Sequence, residues 1–416
     1  EEVVVTATHT GETNLQETPI AITVHSEESL IEHGIDNVRD LVRITPGLNV
    51  GQNTEFAQIY IRGIGSNNSF IGSDPSSTLY VDGVYVGRPM SLFSDFLSID
   101  RIEVLRGPQG VLYGRNSTGG AINIISATPE HDDFYKMKVG YGSYNKRKIN
   151  LFGNIDINSG ISANLAINRE LRDGYVDNKG GHDLIDKDIL NARGAIKIND
   201  SNGVELIIRG DYLDKDDTGA AYKSTYQTID ADFAPETLES GIGSPNEIRD
   251  FHTVNATSPT FFKSTQRGIS IELNVELSDN TTLTYLPAKR SSIVDSSIDS
   301  DWTEIDHRAT NINEKQDQFS HEMRIFTEEE NYNFLFGLYQ YSETIGSDLK
   351  VNLLGGPTAF VRYDETLTTE TQAVFANGQV WVADDTAVSL GFRTSQESKK
   401  FEGEKHFLVT GVADTT

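Results

Sequence analysis

From about residue 133 onward the chain alternates, and that period limits what it can fold into. In 148–157, Ile149, Leu151, Gly153, Ile155 and Ile157 fall on one side, and Lys148, Asn150, Phe152, Asn154 and Asp156 on the other. In 161–170, Ile161, Ala163, Leu165 and Ile167 oppose Ser162, Asn164, Asn168 and Glu170. The pattern returns at 189–199, 204–214, 269–277, 319–326 and 386–393. Period two sustained over about ten residues is what a strand needs to cross a bilayer with one face to lipid and one to a polar lumen. We count roughly twelve such strands from pattern alone. The connections are sorted by length. Short turns at 158–160, 200–203, 278–280, 328–331 and 384–385 alternate with long polar stretches at 172–187, 216–266, 291–316 and 345–368. Short turns on one side and long loops on the other are the asymmetry of an outer-membrane barrel, which a soluble sandwich has no reason to adopt.

Composition removes other classes. No run in the 416 residues approaches the roughly 20 apolar residues of a membrane helix. A net charge of −27 opposes nucleic-acid binding, because phosphates would be repelled. With no cysteine there is neither disulfide nor thiolate metal site. The nine histidines lack a metal-ligand spacing, and no serine sits in a Gly-x-Ser-x-Gly elbow, so neither a catalytic residue nor a metal site is assigned. Calcium on acidic outer loops stays open, although the twelve-residue calcium-loop pattern is absent.

Residues 8–128 follow a different grammar, mixed α and β. Ser26 is placed to cap a short helix carrying Glu27, Glu28, Leu30 and Ile31, which Gly34 ends. Asp36 is placed to cap a second, with Val38, Leu41 and Val42 on one face before Pro46-Gly47. Strand-like pieces follow at 58–62, 78–81, 84–86, 102–105 and 121–125, and Asp82-Gly83 between two of them signals a hairpin. The block 101–123 is dense in glycine beside apolar residues (Gly107, Gly110, Gly114, Gly119, Gly120), which means backbone packed closely against something.

That block closely resembles the plug-domain signature of TonB-dependent outer-membrane receptors, and Tyr80-Val81-Asp82-Gly83-Val84-Tyr85 resembles the family's mid-plug hairpin. The resemblance implies an α+β plug domain (8–128) followed by a transmembrane antiparallel β-barrel (133–416), in the outer membrane of a Gram-negative bacterium. Residues 1–7 resemble a TonB box: Glu2, Val3, Val4, Val5, Thr6 and Ala7 form a β-favouring segment suited to adding to a partner's sheet edge. The implied partners are TonB with its inner-membrane motor complex, the outer-membrane lipid, and an external small-molecule ligand. Ferric siderophore is the leading cargo; cobalamin, haem, nickel chelates and oligosaccharide remain open, and no cofactor is implied.

Ile61-Arg62-Gly63 and Leu105-Arg106-Gly107 match the family's two plug arginines. A guanidinium fork accepted by a carboxylate makes a buried latch, and the alternation points Glu322 into the lumen as partner. The other reading pairs Arg62 and Arg106 with carboxylates inside the plug. Asp82 with Gly83 fits turn chemistry and is read as structural. The family's apical plug loops touch cargo; here they are 51–57, 66–77 and 87–96, with Phe70, Arg88 and Phe93 as candidate contacts.

Family barrels have twenty-two strands and end on an aromatic strand. About twelve fit here and the final residues lack that strand, so a C-terminal truncation is expected. Such an open wall would leave unpaired edges and would not transport by itself. Pro287, inside an alternating stretch, predicts an edge, a bulge or an early strand end. Two other classes stay open: a passive barrel whose plug no longer moves, and a soluble secreted β protein that binds carbohydrate.

Overall fold

The computed structural model describes residues 4–5, 13–14, 20–53, 56–67, 70–88, 98–200, 202–221, 252–254, 256, 258–300, 309–352, 359–383 and 386–409. Eleven strands form one antiparallel wall, each paired with the next in sequence. They are Phe134–Gly142, Lys146–Asn158, Ile161–Arg172, Lys187–Asn199, Val204–Asp217, Phe261–Ser278, Thr281–Asp299, Ala309–Glu329, Tyr332–Asn352, Ala359–Ala383 and Thr386–Val409. Among the described residues the first and last strands have one neighbour each, so the wall is an open sheet.

Period two sorts every strand into two faces. Along Ala309–Glu329, Glu314, Gln316, Gln318, Ser320 and Glu322 are buried, while Phe319, Met323 and Ile325 are exposed. Along Tyr332–Asn352, Leu335, Tyr341 and Ile345 are buried, and Phe334, Phe336 and Leu338 are exposed. Val139, Leu151, Leu165, Ile196, Ile269, Val380 and Leu390 extend the exposed apolar band across the sheet. A band of that size has no place in water; it is a lipid-facing surface. No helix among the described residues is long and apolar enough to cross a membrane.

The strands run farther than period two reveals. Much of 291–316 and 345–368, expected as loop, is strand, and Ala359–Ala383 reaches 25 residues. About 9–11 residues span a bilayer, so the remainder stands clear of it. There both faces are polar: Asn311, Asn313, Lys315 and Asp317 share one, and Glu314, Gln316 and Gln318 the other. Polar–polar alternation carries no hydrophobic period. Pro287 is neither an edge, a bulge nor a strand end. It lies inside Thr281–Asp299 opposite His321, and the ladder to the preceding strand skips two pairs there and resumes in unchanged register. The missing N–H costs the ladder locally and no more. Two of the outer connections meet where Asp177–Asn178 pairs in parallel with Thr253–Val254 over a small core of Val176, Leu184, Val254 and Ala256.

The plug packs against the lumen face. Its main sheet has five strands in the order Ile22–Ser26, Ile99–Arg106, Gly120–Ser126, Ser77–Val81, Val84–Tyr85, with one parallel pairing between Gly120–Ser126 and Ser77–Val81. Leu48–Asn53, Phe56–Ile61 and Ile64–Gly65 form a second sheet. Leu30, Val38, Leu41, Ile61, Leu79, Ile102, Val104 and Ile122 fill the core. The helix is Glu27–Glu32, capped by the Ser26 hydroxyl, which accepts from the Ser29 N–H at 3.3 Å. The second expected helix is a single 3-10 turn, Asp40–Arg43, and its cap differs from expectation. Asn37 Oδ1 takes the Arg39 and Asp40 N–H groups, because the Asp36 carboxylate is turned to Lys148 of the wall at 3.1 Å. Burial works to raise the Asp36 carboxyl, but the ammonium groups of Lys148, Lys138 and Lys146 hold it below the usual carboxylate range. Gly120 has φ +145°, and a Cβ there would lie 2.1 Å from the Leu105 carbonyl oxygen, so only glycine lets the two plug strands close on each other.

Candidate functional site at the seam between plug and wall

The working surface is where the plug's second sheet face meets the wall. Tyr80, Tyr85, Leu105, Tyr113 and Ala121 of the plug pack on Leu335, Tyr341 and Phe375 of the wall. Tyr80 and Tyr113 contact edge to face at 4.9 Å, and Tyr85 meets Tyr341 at 5.6 Å. Burial pushes the Tyr85 phenol up to about 12, and the Tyr80 and Tyr113 phenols are raised by the same cause. All three plug phenols therefore stay protonated and neutral in this layer.

Polar contacts ring the aromatic layer. Arg88, 8% exposed, donates from Nε to Glu314 Oε1 at 2.9 Å and from Nη2 to Oε2 at 2.7 Å. Its guanidinium also lies 4.8 Å from the centre of the Phe56 ring. One residue back, the Gly87 N–H donates to Gln318 Oε1 at 3.1 Å, and Gln318 Nε2 donates to the Tyr85 carbonyl at 2.7 Å. A single wall amide thus binds the plug backbone as a neighbouring strand would. Farther along, Arg115 pairs with Asp74 at 2.7 Å and with Glu397 of the wall at 2.8 Å, while Lys399 of the wall reaches Asp74 at 2.5 Å. Lys136 pairs with Glu27 at 2.7 Å near the helix. The hydrogen-bonded charges of the seam can exchange their partners for water when the plug moves, whereas the aromatic layer must give up buried apolar surface.

Gly87 marks the closest approach. A Cβ there would lie 2.5 Å from Glu343 Oε1, 2.7 Å from the Tyr341 hydroxyl and 3.0 Å from Gln316 Nε2. These are side-chain ends that can shift at a cost. Gly87→Ala is expected to destabilise the seated plug by about 1–3 kcal/mol, the usual cost of overpacking. A lowered melting temperature of the full-length protein checks it, and an unchanged one refutes the close approach.

The residues singled out from sequence fall in several places. Arg62 ends the strand Phe56–Ile61 at φ 53°, donates its N–H to the Gly47 carbonyl and is exposed. Arg106 donates to Thr23 Oγ1 at 2.6 Å inside the plug. Glu322 is buried on the lumen face and pairs with Arg324 of its own strand at 3.3 Å. The structure does not join these three in one ion pair. Arg88, read as a ligand contact, has its fork engaged by Glu314 across the seam. Phe70 is 64% exposed at the apex. Phe93 lies outside the described residues, as do Glu2, Val3, Thr6 and Ala7; Val4–Val5 pairs with Thr13–Asn14. Sequence reasoning missed Glu314, Gln316, Gln318, Glu397 and Lys399. The first three share strand parity with Glu322, and that parity is a signal that could have found them.

Comparison with known proteins agrees with this geometry. The TonB-dependent Receptor Plug Domain family matches residues 14–121. The ferripyoverdine receptor of Pseudomonas aeruginosa is 28% identical over 217 residues, covering 52% of this chain and 26% of that protein. A protein described as the probable TonB-dependent siderophore receptor PiuA of Acinetobacter baumannii is 24% identical over 454 residues, covering 96% and 56%. Among solved structures, the ferric yersiniabactin uptake receptor FyuA of Yersinia pestis superposes with a TM-score of 0.77 at 19% identity, over 93% of this chain and 61% of that one. The chain therefore spans about half, or less, of the curated relatives it matches. Residues 14–121 thus carry the plug domain of the TonB-dependent receptors, seated on the polar face of a strand wall whose other face is apolar, and the chain resembles receptors of the Gram-negative outer membrane over most of its length.

Proposed function

We propose that the intact protein captures a ferric siderophore at the outer surface and admits it to the periplasm with energy delivered by TonB, with no catalytic step of its own. One observation carries the reading: around an aromatic layer the plug is held to the wall by directional polar contacts, Arg88–Glu314 and Gly87–Gln318 among them. Contacts of this kind seal a resting channel and exchange with water when the plug is pulled. The outer membrane has neither ATP nor a useful ion gradient, so the pull comes from the inner membrane through residues 1–7. Ferric siderophore is the cargo because the matched relatives are named for it: ferripyoverdine, and a siderophore in PiuA.

The test is growth rescue. The full-length protein, expressed in an iron-starved strain lacking its own siderophore receptors, is expected to restore growth with one class of ferric chelate and only while TonB is present. Rescue that persists without TonB would favour the passive barrel. Absence of rescue by any ferric chelate, with uptake of a corrinoid, haem or an oligosaccharide instead, would overturn the cargo and leave the transport reading standing.

A further inference from the structure

The Asp82-Gly83 turn does more than close a hairpin. Both residues have positive φ, 50° and 77°, which gives the tight two-residue turn between Ser77–Val81 and Val84–Tyr85. Its tip is pressed on the wall, where a Cβ on Gly83 would lie 3.2 Å from Leu286 Cδ2. Between tip and wall is a cavity of about 10 Å3, room for about one water. It is lined by Asp82 on the plug side and by Arg193, Arg209, Asp211 and Arg290 on the wall side.

Asp82 brings a plug carboxylate to this nest of wall charges. Arg290 holds Asp211 through both guanidinium nitrogens, at 2.9 and 2.7 Å. Arg209 holds Glu272 at 2.6 Å through Nη1, and its buried Nε has no hydrogen-bond partner. Arg193 has no ion-pair partner among the described residues; it lines the same cavity as Asp82 and lies close enough to Asp211 to share its charge with Arg290. On the wall, Arg193, Arg209, Arg290 and Lys197 stand against Asp211, Glu272 and Glu205. Glu205 pairs with Lys197 at 2.6 Å and acts on Arg209 as well, and the plug supplies a fourth carboxylate, Asp82, which also acts on Arg209. Asp82 is held in place by Ser126, whose N–H and hydroxyl both donate to Oδ1 at 2.8 Å. Lifting the turn out leaves the wall one positive charge in excess, in a half-dry niche where an unmatched guanidinium attracts anions strongly.

We infer that withdrawal of the Asp82 turn uncovers an inner anion-binding site on the wall, formed by Arg193 and Arg209, which takes an anionic metal chelate through its carboxylate or phenolate oxygens. Asp82 is the stand-in for the cargo: held by Ser126 rather than by an arginine, it offsets the charge of Arg209 at rest and leaves with the plug. The site rests on the transport reading above and adds a charge preference inside the wall, distinct from recognition at the apex.

Bromide is the probe. In bromide-soaked crystals of the full-length Asp82→Asn protein, an anomalous peak is expected within hydrogen-bond reach of Arg193 and Arg209, with none in the unsubstituted protein and none in Asp82→Asn combined with Arg193→Gln. No peak in Asp82→Asn, an equal peak without the substitution, or a peak that survives Arg193→Gln would each overturn the site. Should Asp82→Asn not fold, single substitutions at Arg193 decide. With the anionic chelate that rescues growth, Arg193→Gln is expected to slow uptake about tenfold at unchanged surface affinity, the loss of one charge-assisted contact. Arg193→Lys should keep most of the rate. Unchanged uptake in Arg193→Gln, or equal losses in both variants, refutes the proposal. Failure of the transport reading looks different, because the unsubstituted protein would then take up nothing.

Discussion

Replacing Glu314 with glutamine in the full-length protein is expected to loosen the plug by about 3–5 kcal/mol, the cost of leaving one member of a buried ion pair without its partner. The size follows from burial. Arg88 and Glu314 are 8% and 2% exposed, so the guanidinium left behind cannot turn to bulk water. The glutamine amide oxygen can accept one hydrogen bond but carries no charge, and the Phe56 ring at 4.8 Å adds a cation–π contact of only about 0.5–2 kcal/mol. Amide hydrogen exchange checks the outcome: protection in the plug strands Ile99–Arg106 and Gly120–Ser126 should fall while that of the wall strands holds. The double variant Arg88→Met with Glu314→Leu sharpens the argument, since removing both charges and refilling the space is often neutral. Recovery there, after loss in Glu314→Gln, would show that the pair fixes where the plug sits more than it adds to stability. Equal protection in Glu314→Gln and the unsubstituted protein would sink the assignment.

The pair was hidden from the sequence for the reason that the upper wall was hidden. Periodicity reports the contrast between lipid and lumen, and it stops at the membrane surface. Phe319, Met323 and Ile325 announce their strand, while residues 309–318 of the same strand alternate polar with polar. Turn and cap chemistry was legible where it is local: Ser26 caps its helix, and Asp82-Gly83 makes its hairpin. It failed where tertiary charge intervened, as when Lys148 draws the Asp36 carboxylate away from the cap. Arg88 shows the same limit. A long, forked cation in a loop invites a ligand role, and only the fold places a carboxylate from a strand 226 residues away within 2.7 Å of it. The arginine nest around Asp82 is likewise assembled from three wall strands, at 193, 209 and 290, which share only their inward parity.

Val4→Pro in the full-length protein is expected to abolish uptake while ligand still binds at the surface. Among the described residues Val4 pairs with Asn14 and Val5 with Thr13, a ladder of two antiparallel residue pairs. A ladder that short is marginal on its own, so a partner offering an extended sheet edge can replace it with more main-chain hydrogen bonds. Proline at position 4 removes an N–H and fixes φ, which a parallel or antiparallel ladder cannot repair. Ligand recognition, which we propose for the plug loops 51–57, 66–77 and 87–96, does not involve that N–H. Radiolabelled ferric chelate separates the two steps: binding to cells at ice temperature should be preserved, and accumulation on warming should fall to the level of a strain without TonB. Val4→Thr keeps both the N–H and β-branching and should transport normally, which distinguishes lost backbone pairing from a lost side chain. Normal accumulation in Val4→Pro would mean that force enters the protein elsewhere, and the pairing of residues 4–5 would then be a local turn with no partner to serve.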